Sequence, residues 1–214
     1  MASTSQPPCI YVLAGANGAG KSSLGGAAFL QRGVEYFNPD EAARRILAAN
    51  PAITQEDANS AAWLQGRRLL QRAIAERLNF VFETTLGGRT IPALLEKALA
   101  SGIEVRVWFV GLNSPELHIA RVCARVRRGG HDIPEAKIRE RYHRSRLNLV
   151  RLIPQLTELR VYDNTEEADP HTGAVPRPKL ILHLDRSKIV DSCDLTTAPP
   201  WTKPILLAAL KCCR

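Results

Sequence analysis

The segment with the clearest chemical potential is a glycine-rich run at residues 15–22, which ends in a lysine and a serine. It matches the pattern G-x-x-x-x-G-K-[ST], in which glycines let backbone N–H groups turn towards phosphate oxygens. Lys21 can reach the outer phosphates of ATP, and the Ser22 hydroxyl can hold Mg²⁺. The alternative is a glycine turn with a chance lysine, which the flanking strand and helix patterns disfavour. The predicted ATP-binding residues of this run are Gly15, Ala16, Asn17, Gly18, Ala19, Gly20, Lys21, Ser22 and Ser23.

Two acidic residues follow predicted strands. Asp40 comes just after the second strand, where a carboxylate can face the γ-phosphate and take the proton from an acceptor hydroxyl. An acid that offsets the dipole in the first turn of a helix is an equally weighted alternative. Glu83 ends the third strand and could lie beside Mg²⁺ or orient the acceptor, although an ordinary strand-end acid would look the same. Thr84 and Thr85 could bind substrate or simply form a turn.

A group of arginines further along the chain could bind phosphate. Arg121, Arg125 and Arg128 have the spacing of one helical face, and no acid lies four residues from Arg121 or Arg125, so an anion would relieve their repulsion. With the Gly129-Gly130 pair as a hinge, they predict a mobile basic lid at about residues 119–150 that closes over ATP. A solvated basic face is the alternative. Further arginines, of which one or two could join the site, lie on the next predicted helix: Arg139, Arg141, Arg144 and Arg146.

Three other residues are weaker candidates for the same site. His131 lies in the lid loop and could contact substrate, although a lone histidine is more often structural. Asn164 follows the fifth predicted strand and is expected beside the adenine of ATP. Asn38, directly ahead of the predicted helix that carries Asp40, is assigned to the acceptor side.

The elements that must position these residues alternate between strands and helices. Such alternation is typical of a mostly parallel sheet covered on both faces, with ligands beyond the carboxyl ends of the strands. The predicted fold class is α/β, a P-loop NTPase three-layer sandwich with a mostly parallel sheet and a helical basic lid. Strands are predicted at 9–14, 35–38, 80–83, 104–110, 159–163 and 179–184, and helices at 22–30, 39–49, 54–78, 90–101, 135–151 and 205–210, with one more beginning near 114.

Composition limits the class of protein. The 214 residues suffice for one domain, placed at 9–214 after a disordered stretch at 1–8. The net charge is +8, and residues 121–151 hold ten Lys/Arg against three acids. A small anionic substrate explains this cluster, and nucleic acid is an unlikely partner because the three tryptophans are not interleaved with it. The five scattered cysteines favour free thiols in the cytoplasm, and no run predicts a secretory signal or membrane span.

Several segments taken together resemble the zeta-toxin-like P-loop kinases, and more narrowly a small, mostly uncharacterised branch labelled zeta toxin family or predicted ATPase. The resemblance covers about residues 10–164. Its specificity comes from the ordered set, above all the G-G-H-x-I-P segment, since the P-loop alone occurs in many families. The segments that carry it are 15–23, 38–43, 82–86, 125–135 and 138–149.

The resemblance implies a function and roles for individual residues. Founding members use ATP to phosphorylate the 3′-hydroxyl of the amino sugar in UDP-N-acetylglucosamine, and a small antitoxin protein holds them inactive. Asp40 would be the general base, and Glu83 with Thr85 would contact the sugar nucleotide. Arg121 or Arg125, together with Arg128, would stabilise the transferring phosphoryl group. The chain is shorter than the founding members, and its basic segment carries a glycine pair.

A second function class remains open. A P-loop ATPase or nucleotide-binding module that acts through a protein or RNA partner would share the phosphate-binding motif. The net charge of +8 is the feature that favours it.

Overall fold

The computed structural model describes residues 7–22, 24, 36–167 and 177–213. The strands are β1 (Cys9–Ala14), β2 (Tyr36–Phe37), β3 (Phe80–Thr84), β4 (Glu104–Gly111), β5 (Glu158–Asp163), β6 (Lys179–Asp185) and β7 (Lys188–Ser192). The helices are α1 (Pro39–Ala49), α2 (Gln55–Glu76), α3 (Thr90–Ala100), α4 (Pro115–Val126), α5 (Glu135–Leu152) and α6 (Lys203–Cys212), with short 3₁₀ turns at Ile153–Gln155 and Pro200–Thr202.

Within these residues, seven strands form one sheet in the order β2-β3-β1-β4-β5-β6-β7. The first five strands of this order are parallel, whereas β6 and β7 pair antiparallel at the far edge. The predicted α/β class with a mostly parallel sheet is therefore confirmed. Because Leu13 pairs with Glu83 in register, the end of β1 lies directly beside the end of β3. The phosphate-binding run and Glu83 of β3 therefore both lie at the carboxyl end of the parallel strands.

The core explains why the central strands are apolar throughout. Alternate residues of each strand face opposite sides, and one side packs against α2, α3, α5 and α6. The opposite side near β1 is also closed, since Leu13, Val81 and Val110 are fully buried there. Strands buried on both faces need continuous apolar runs rather than alternating ones. Each such side chain contributes about 1.5–3 kcal/mol by leaving water.

The helix that follows β2 begins where local chemistry predicts. Asn38 caps α1, its side-chain oxygen accepting hydrogen bonds from the backbone N–H groups of Asp40 and Glu41. Pro39 occupies the first turn, where its missing N–H and fixed φ are tolerated. In α2, Thr54 and Asp57 form a reciprocal capping box. The predicted boundaries of both helices are confirmed to within two residues.

The structure departs from the predicted elements at the end of the sheet. Residues 185–188, predicted only to follow the last strand, form a tight turn into the additional strand β7. Arg186 and Ser187 both have positive φ, at 45° and 62°, as a two-residue type I′ hairpin turn requires. Asn-Gly or Asp-Gly would have signalled such a turn, and Arg-Ser does not. The hairpin was therefore missed because its turn uses unfavoured residues.

Some predictions fall where the structure describes little. Of the predicted helix 22–30, Ser22 and Leu24 are helical, and Ser23 and residues 25–30 lie outside the described residues. Glu35, the first residue of the predicted second strand, lies outside them too. Residues 1–6 of the predicted disordered stretch also lie outside. The carbonyl of Pro8 accepts a hydrogen bond from the backbone of Glu104, which fastens the chain to β4. No helix in the described part of the chain is long and apolar enough to cross a membrane.

Leu95 tests the packing of α3 against the sheet. Its side chain is fully buried, so Leu95→Ala should lower the free energy of unfolding by about 2–5 kcal/mol through lost burial and the cavity it leaves. Urea denaturation measures this directly. Leu207→Ala removes the same atoms from a half-exposed position on α6 and should change stability by no more than about 0.5 kcal/mol. Equal effects of the two substitutions would contradict the packing described.

Candidate active site

The phosphate-binding loop joins β1 to the helix that begins at Lys21, and its backbone is held against neighbouring strands. Gly15 has a φ of +144°, and its N–H donates to the carbonyl of Thr84 at 3.2 Å. A Cβ on Gly15 would lie 2.1 Å from the carbonyl oxygen of Val110, so no other residue fits. Gly18 has a φ of +80°, and a Cβ there would lie 2.6 Å from the carbonyl oxygen of His118. The path of the loop backbone therefore depends on close contacts that only glycine permits.

Two side chains contact the outward-facing carbonyls of this loop. Nδ1 of His118 lies 2.7 Å from the carbonyl oxygen of Asn17, and Nδ2 of Asn164 donates to the carbonyl of Ala19 at 2.9 Å. Asn164, predicted to flank adenine, thus contacts the loop backbone. His118 was not predicted as a site residue.

Lys21 lies within the loop it follows. Its Nζ donates to the carbonyl oxygens of Gly15 at 2.9 Å and Ala16 at 3.5 Å. Burial lowers the pKa of Lys21 below its ordinary value, while the nearby carboxylates of Glu83 and Asp40 act in the opposite direction. An ammonium with little water around it gains more from a bound anion than a solvated one does.

Glu83, at the end of β3, is the acceptor for three donors. Its Oε1 accepts hydrogen bonds from the Ser22 hydroxyl at 3.0 Å, from Asn38 Nδ2 at 3.2 Å and from the Tyr36 hydroxyl. Glu83 is buried, and burial together with this hydrogen bond raises the pKa of Tyr36. The hydroxyl and carboxylate predicted to act at Mg²⁺ are thus adjacent, and oxygen donors of this kind suit that ion. The part of the chain that the structure describes contains no cluster of three His, Cys, Asp or Glu side chains that could hold a metal alone.

Asp40 lies in the first turn of α1 and faces α4 and the loop that follows it. Its Oδ2 is 3.5 Å from NH1 of Arg125, and its Oδ1 is 3.9 Å from Nε2 of His131. Arg125 also donates to the backbone carbonyl of His131 at 3.2 Å. Both interpretations of Asp40 are therefore compatible with its position, since it sits at a helix N-terminus and also contacts the predicted phosphate-binding arginine.

The prediction that Arg121, Arg125 and Arg128 lie on one helical face is wrong. The α4 helix ends at Val126, so Arg128 lies in the turn beyond it and is exposed. Arg121 donates to the backbone carbonyls of Thr165 at 3.4 Å and Glu166 at 3.2 Å, after β5. Arg128 leaves this face because a helical spacing has meaning only while the helix continues, whereas Arg121 and Arg125 share the helix and hold different partners. Acids distant in sequence approach two of these arginines, Glu167 beside Arg121 and Asp40 beside Arg125, so the protein itself supplies part of the negative charge expected there.

Arg141 is the arginine of α5 that reaches the phosphate-binding loop. Its NH1 donates to Oδ1 of Asn17 at 2.8 Å, and its side chain packs against Gly87. Burial lowers the pKa of Arg141, and the charge of Asp40 opposes this shift. The other three arginines named on this helix contact residues outside the loop: Arg139 with Glu116 and Glu135, Arg144 with Glu140, and Arg146 with the carbonyl of Tyr142.

The loop after β3 is an ordered turn. The Thr84 hydroxyl accepts from the N–H of Leu86 at 3.0 Å, and the Thr85 hydroxyl accepts from the N–H of Gly87 at 3.4 Å. Asn148 of α5 donates to the carbonyl of Leu86 at 2.7 Å. Both threonines therefore have the contacts of turn residues, and each lies at the edge of the sheet where a substrate would bind.

Two residues of this site, Tyr36 and His118, were missed from the sequence. Each contacts a partner distant in the chain, which local patterns do not report. A signal did exist for His118, because it lies on the same face of α4 as Arg121 and Arg125, at i+3 and i+7. Tyr36 lay in a predicted strand with nothing to indicate its partner.

Comparison with known proteins places this geometry in a family. The family model described as zeta toxin matches residues 2–174. The chain belongs to the zeta toxin family. An uncharacterised protein of Haemophilus influenzae is 35% identical over 132 residues, which cover 60% of this chain and 88% of that protein.

Solved structures share the fold of this chain. A crystal structure of AvrRxo1-ORF1:-ORF2 with ATP matches with a TM-score of 0.65 and 15% identity, over 87% of this chain and 60% of the matched chain. The PezAT chromosomal toxin–antitoxin system of Streptococcus pneumoniae matches with a TM-score of 0.54 and 16% identity, over 76% and 70% of the two chains. The chain thus spans about 60% of the length of the matched AvrRxo1 chain.

His118 gives this zeta toxin family member a testable pH dependence. Burial, together with the positive charges of Lys21, Arg121 and Arg146, lowers the pKa of His118 from 6.5 to about 4, against the hydrogen bond to Asn17. Between these two values the unfolded chain binds a proton that the folded chain does not. Stability should therefore fall by about 3 kcal/mol as the pH drops from 6.5 to 4.

The measurement is the free energy of unfolding by urea at several pH values. His118→Asn should lose this part of the acid sensitivity, while His143→Asn, which changes an exposed histidine on α5, should follow the wild type. Identical pH profiles for the wild type and His118→Asn would contradict a buried neutral imidazole.

Proposed function

We propose that this protein is an ATP-dependent kinase that transfers the γ-phosphate to a hydroxyl of a small molecule. The observation that carries the proposal is the meeting of three chemically distinct groups at one sheet edge. These are the phosphate-binding loop with Lys21, the pair formed by Ser22 and Glu83, and Asp40 beside Arg125. Phosphoryl transfer needs positioning and charge neutralisation rather than covalent catalysis, and these are the groups it uses.

Each group has a role consistent with its contacts. The loop amides and Lys21 would hold the phosphates of ATP, and Ser22, with Glu83 behind it, would hold Mg²⁺. The bound metal would neutralise charge that develops on the phosphate oxygens. Asp40 would accept the proton of the acceptor hydroxyl.

Arg125 and Arg141 would stabilise the transferring phosphoryl group. Nε of Arg125 is buried and has no hydrogen-bond partner among the described residues, so an incoming phosphate oxygen would satisfy it. The guanidinium of Arg141 uses NH1 to contact Asn17, which aims the rest of its fork near the same loop. Arg121 and Arg128 have weaker support, since one contacts the segment after β5 and the other is exposed.

A nucleotide sugar such as UDP-N-acetylglucosamine is the best single proposal for the acceptor. Family membership supports it, together with Glu83 and Thr85 at the positions that the sequence resemblance assigns to sugar-nucleotide contacts. A small antitoxin protein is a proposed partner, because the matched PezAT structure belongs to a toxin–antitoxin system. A cytoplasmic location follows from this function.

The second candidate is a P-loop ATPase that works through a protein or RNA partner. The net charge of +8 favours it, and Arg127 and Arg128 lie exposed beside the site. ATP turnover that rises only with RNA or protein, and not with small acceptors, would select this candidate.

The decisive experiment is incubation with a metabolite pool and γ-labelled ATP, followed by mass spectrometry of labelled products. We expect one hydroxylated metabolite to gain a phosphate, with a UDP-sugar tested first as a pure compound. Release of inorganic phosphate alone, with every acceptor class unlabelled, would contradict a kinase.

Asp40 provides the sharpest variant of this experiment. Asp40→Ala should abolish labelled product while ATP binding, measured by calorimetry, survives, because the base acts on the acceptor and the loop holds the nucleotide. Glu41→Ala is the matched control, since Glu41 is the next residue of the same helix turn and pairs with Arg45 on the surface. Near-normal transfer by Asp40→Ala would show that another group takes the proton.

A further inference from the structure

His118 is fully buried, and it makes a contact that the proposed chemistry does not use. Its Nδ1 lies 2.7 Å from the carbonyl oxygen of Asn17, inside the phosphate-binding loop. Since a carbonyl oxygen can only accept, Nδ1 carries the proton and the ring is the donor. Its ring edge packs on Tyr142 of α5, with centroids 5.5 Å apart at 67°. The imidazole is therefore fixed from two sides.

The contact matters because of peptide geometry. The carbonyl of Asn17 and the N–H of Gly18 belong to one planar peptide unit and point in opposite directions. A donor that holds this carbonyl against α4 therefore aims the Gly18 N–H away from α4. Gly18 has a φ of +80°, and glycine backbones rotate easily, so the peptide needs an external contact to keep one orientation.

A second side chain acts on the loop in the same way. Asn164 donates to the carbonyl of Ala19 at 2.9 Å, and that carbonyl shares its peptide plane with the N–H of Gly20. Two peptide planes of the loop are thus held through their outward carbonyls, by residues from different elements. The side chain of Asn17 is held as well, by Arg141.

We propose that His118 is a positioning residue that keeps the loop amides aimed at the phosphates by donating a hydrogen bond to the Asn17 carbonyl. This inference rests on the proposed function in so far as the bound anion is a triphosphate. The same hydrogen bond also fastens α4, which carries Arg125, to the phosphate-binding loop. His118 touches no substrate, so it acts only through the phosphate-binding loop and through α4.

The test compares a substitution that removes the donor with one that keeps a donor. His118→Leu removes the donor and leaves a buried carbonyl unsatisfied, so the Kd and KM for ATP should rise about tenfold or more. His118→Asn keeps an N–H donor near the place of Nδ1 and should stay within about threefold of the wild type. The KM for the acceptor should not change in either variant, which a general loss of structure would not spare. His143→Leu is the matched control on α5 and should bind ATP normally.

Inorganic tripolyphosphate distinguishes a phosphate effect from an adenine effect. Its binding should weaken in His118→Leu by the same factor as that of ATP. If His118→Leu fails to fold, Asn164→Ala should weaken tripolyphosphate binding because it removes the donor to the Ala19 carbonyl.

The outcomes separate this inference from the proposed function. Equal tripolyphosphate binding by the wild type and by whichever of the two variants folds would overturn this inference alone. Wild-type protein that bound neither ATP nor tripolyphosphate would overturn both it and the proposed function, whereas ATP binding without any phosphorylated product would overturn only the kinase proposal.

Discussion

One buried carboxylate connects the parts of this site. Glu83 accepts hydrogen bonds from Ser22, after the phosphate-binding loop, and from Tyr36 and Asn38, at the junction of β2 and α1. A carboxylate is tolerated away from water only when donors surround it. Glu83 can therefore be buried only because these donors are present. Because all three donors meet at one oxygen, the segments that carry them must lie at fixed distances from each other.

The position of Asp40 follows from that constraint. Asn38 uses its amide nitrogen for Glu83 and its amide oxygen for the N-terminus of α1. The same side chain therefore ties the strand-end carboxylate to the helix that begins at Pro39. With α1 fixed in this way, Asp40 faces Arg125 across the mouth of the site. Asp40, the phosphate-binding loop and the pair formed by Ser22 and Glu83 thus share one hydrogen-bonded framework.

How much of this could be predicted depends on the distance over which the information lies. The phosphate-binding loop, the strand–helix alternation and the start of α1 were predictable, because each depends on neighbouring residues such as Asn38 and Pro39. The β7 strand was not, because its turn adopts positive φ at Arg186 and Ser187 without the usual residues. The sequence could not single out Arg141 from the four arginines of its helix, because only tertiary packing shows that its partner is Asn17, 124 residues away.

In the proposed kinase, the charges of the site would act as a preorganised environment for phosphoryl transfer. Arg125 and Arg141 lie close to the loop, yet each already holds a protein group, Asp40 in one case and Asn17 in the other. These contacts limit how far either guanidinium must move to meet a phosphate, and they leave other N–H groups of each fork available. Arginines anchored in this manner lose little entropy when charge develops in front of them, which is where electrostatic stabilisation of a transition state is most effective. The carboxylate of Asp40 also offsets the positive charge that Arg125 and Arg141 bring close to Lys21.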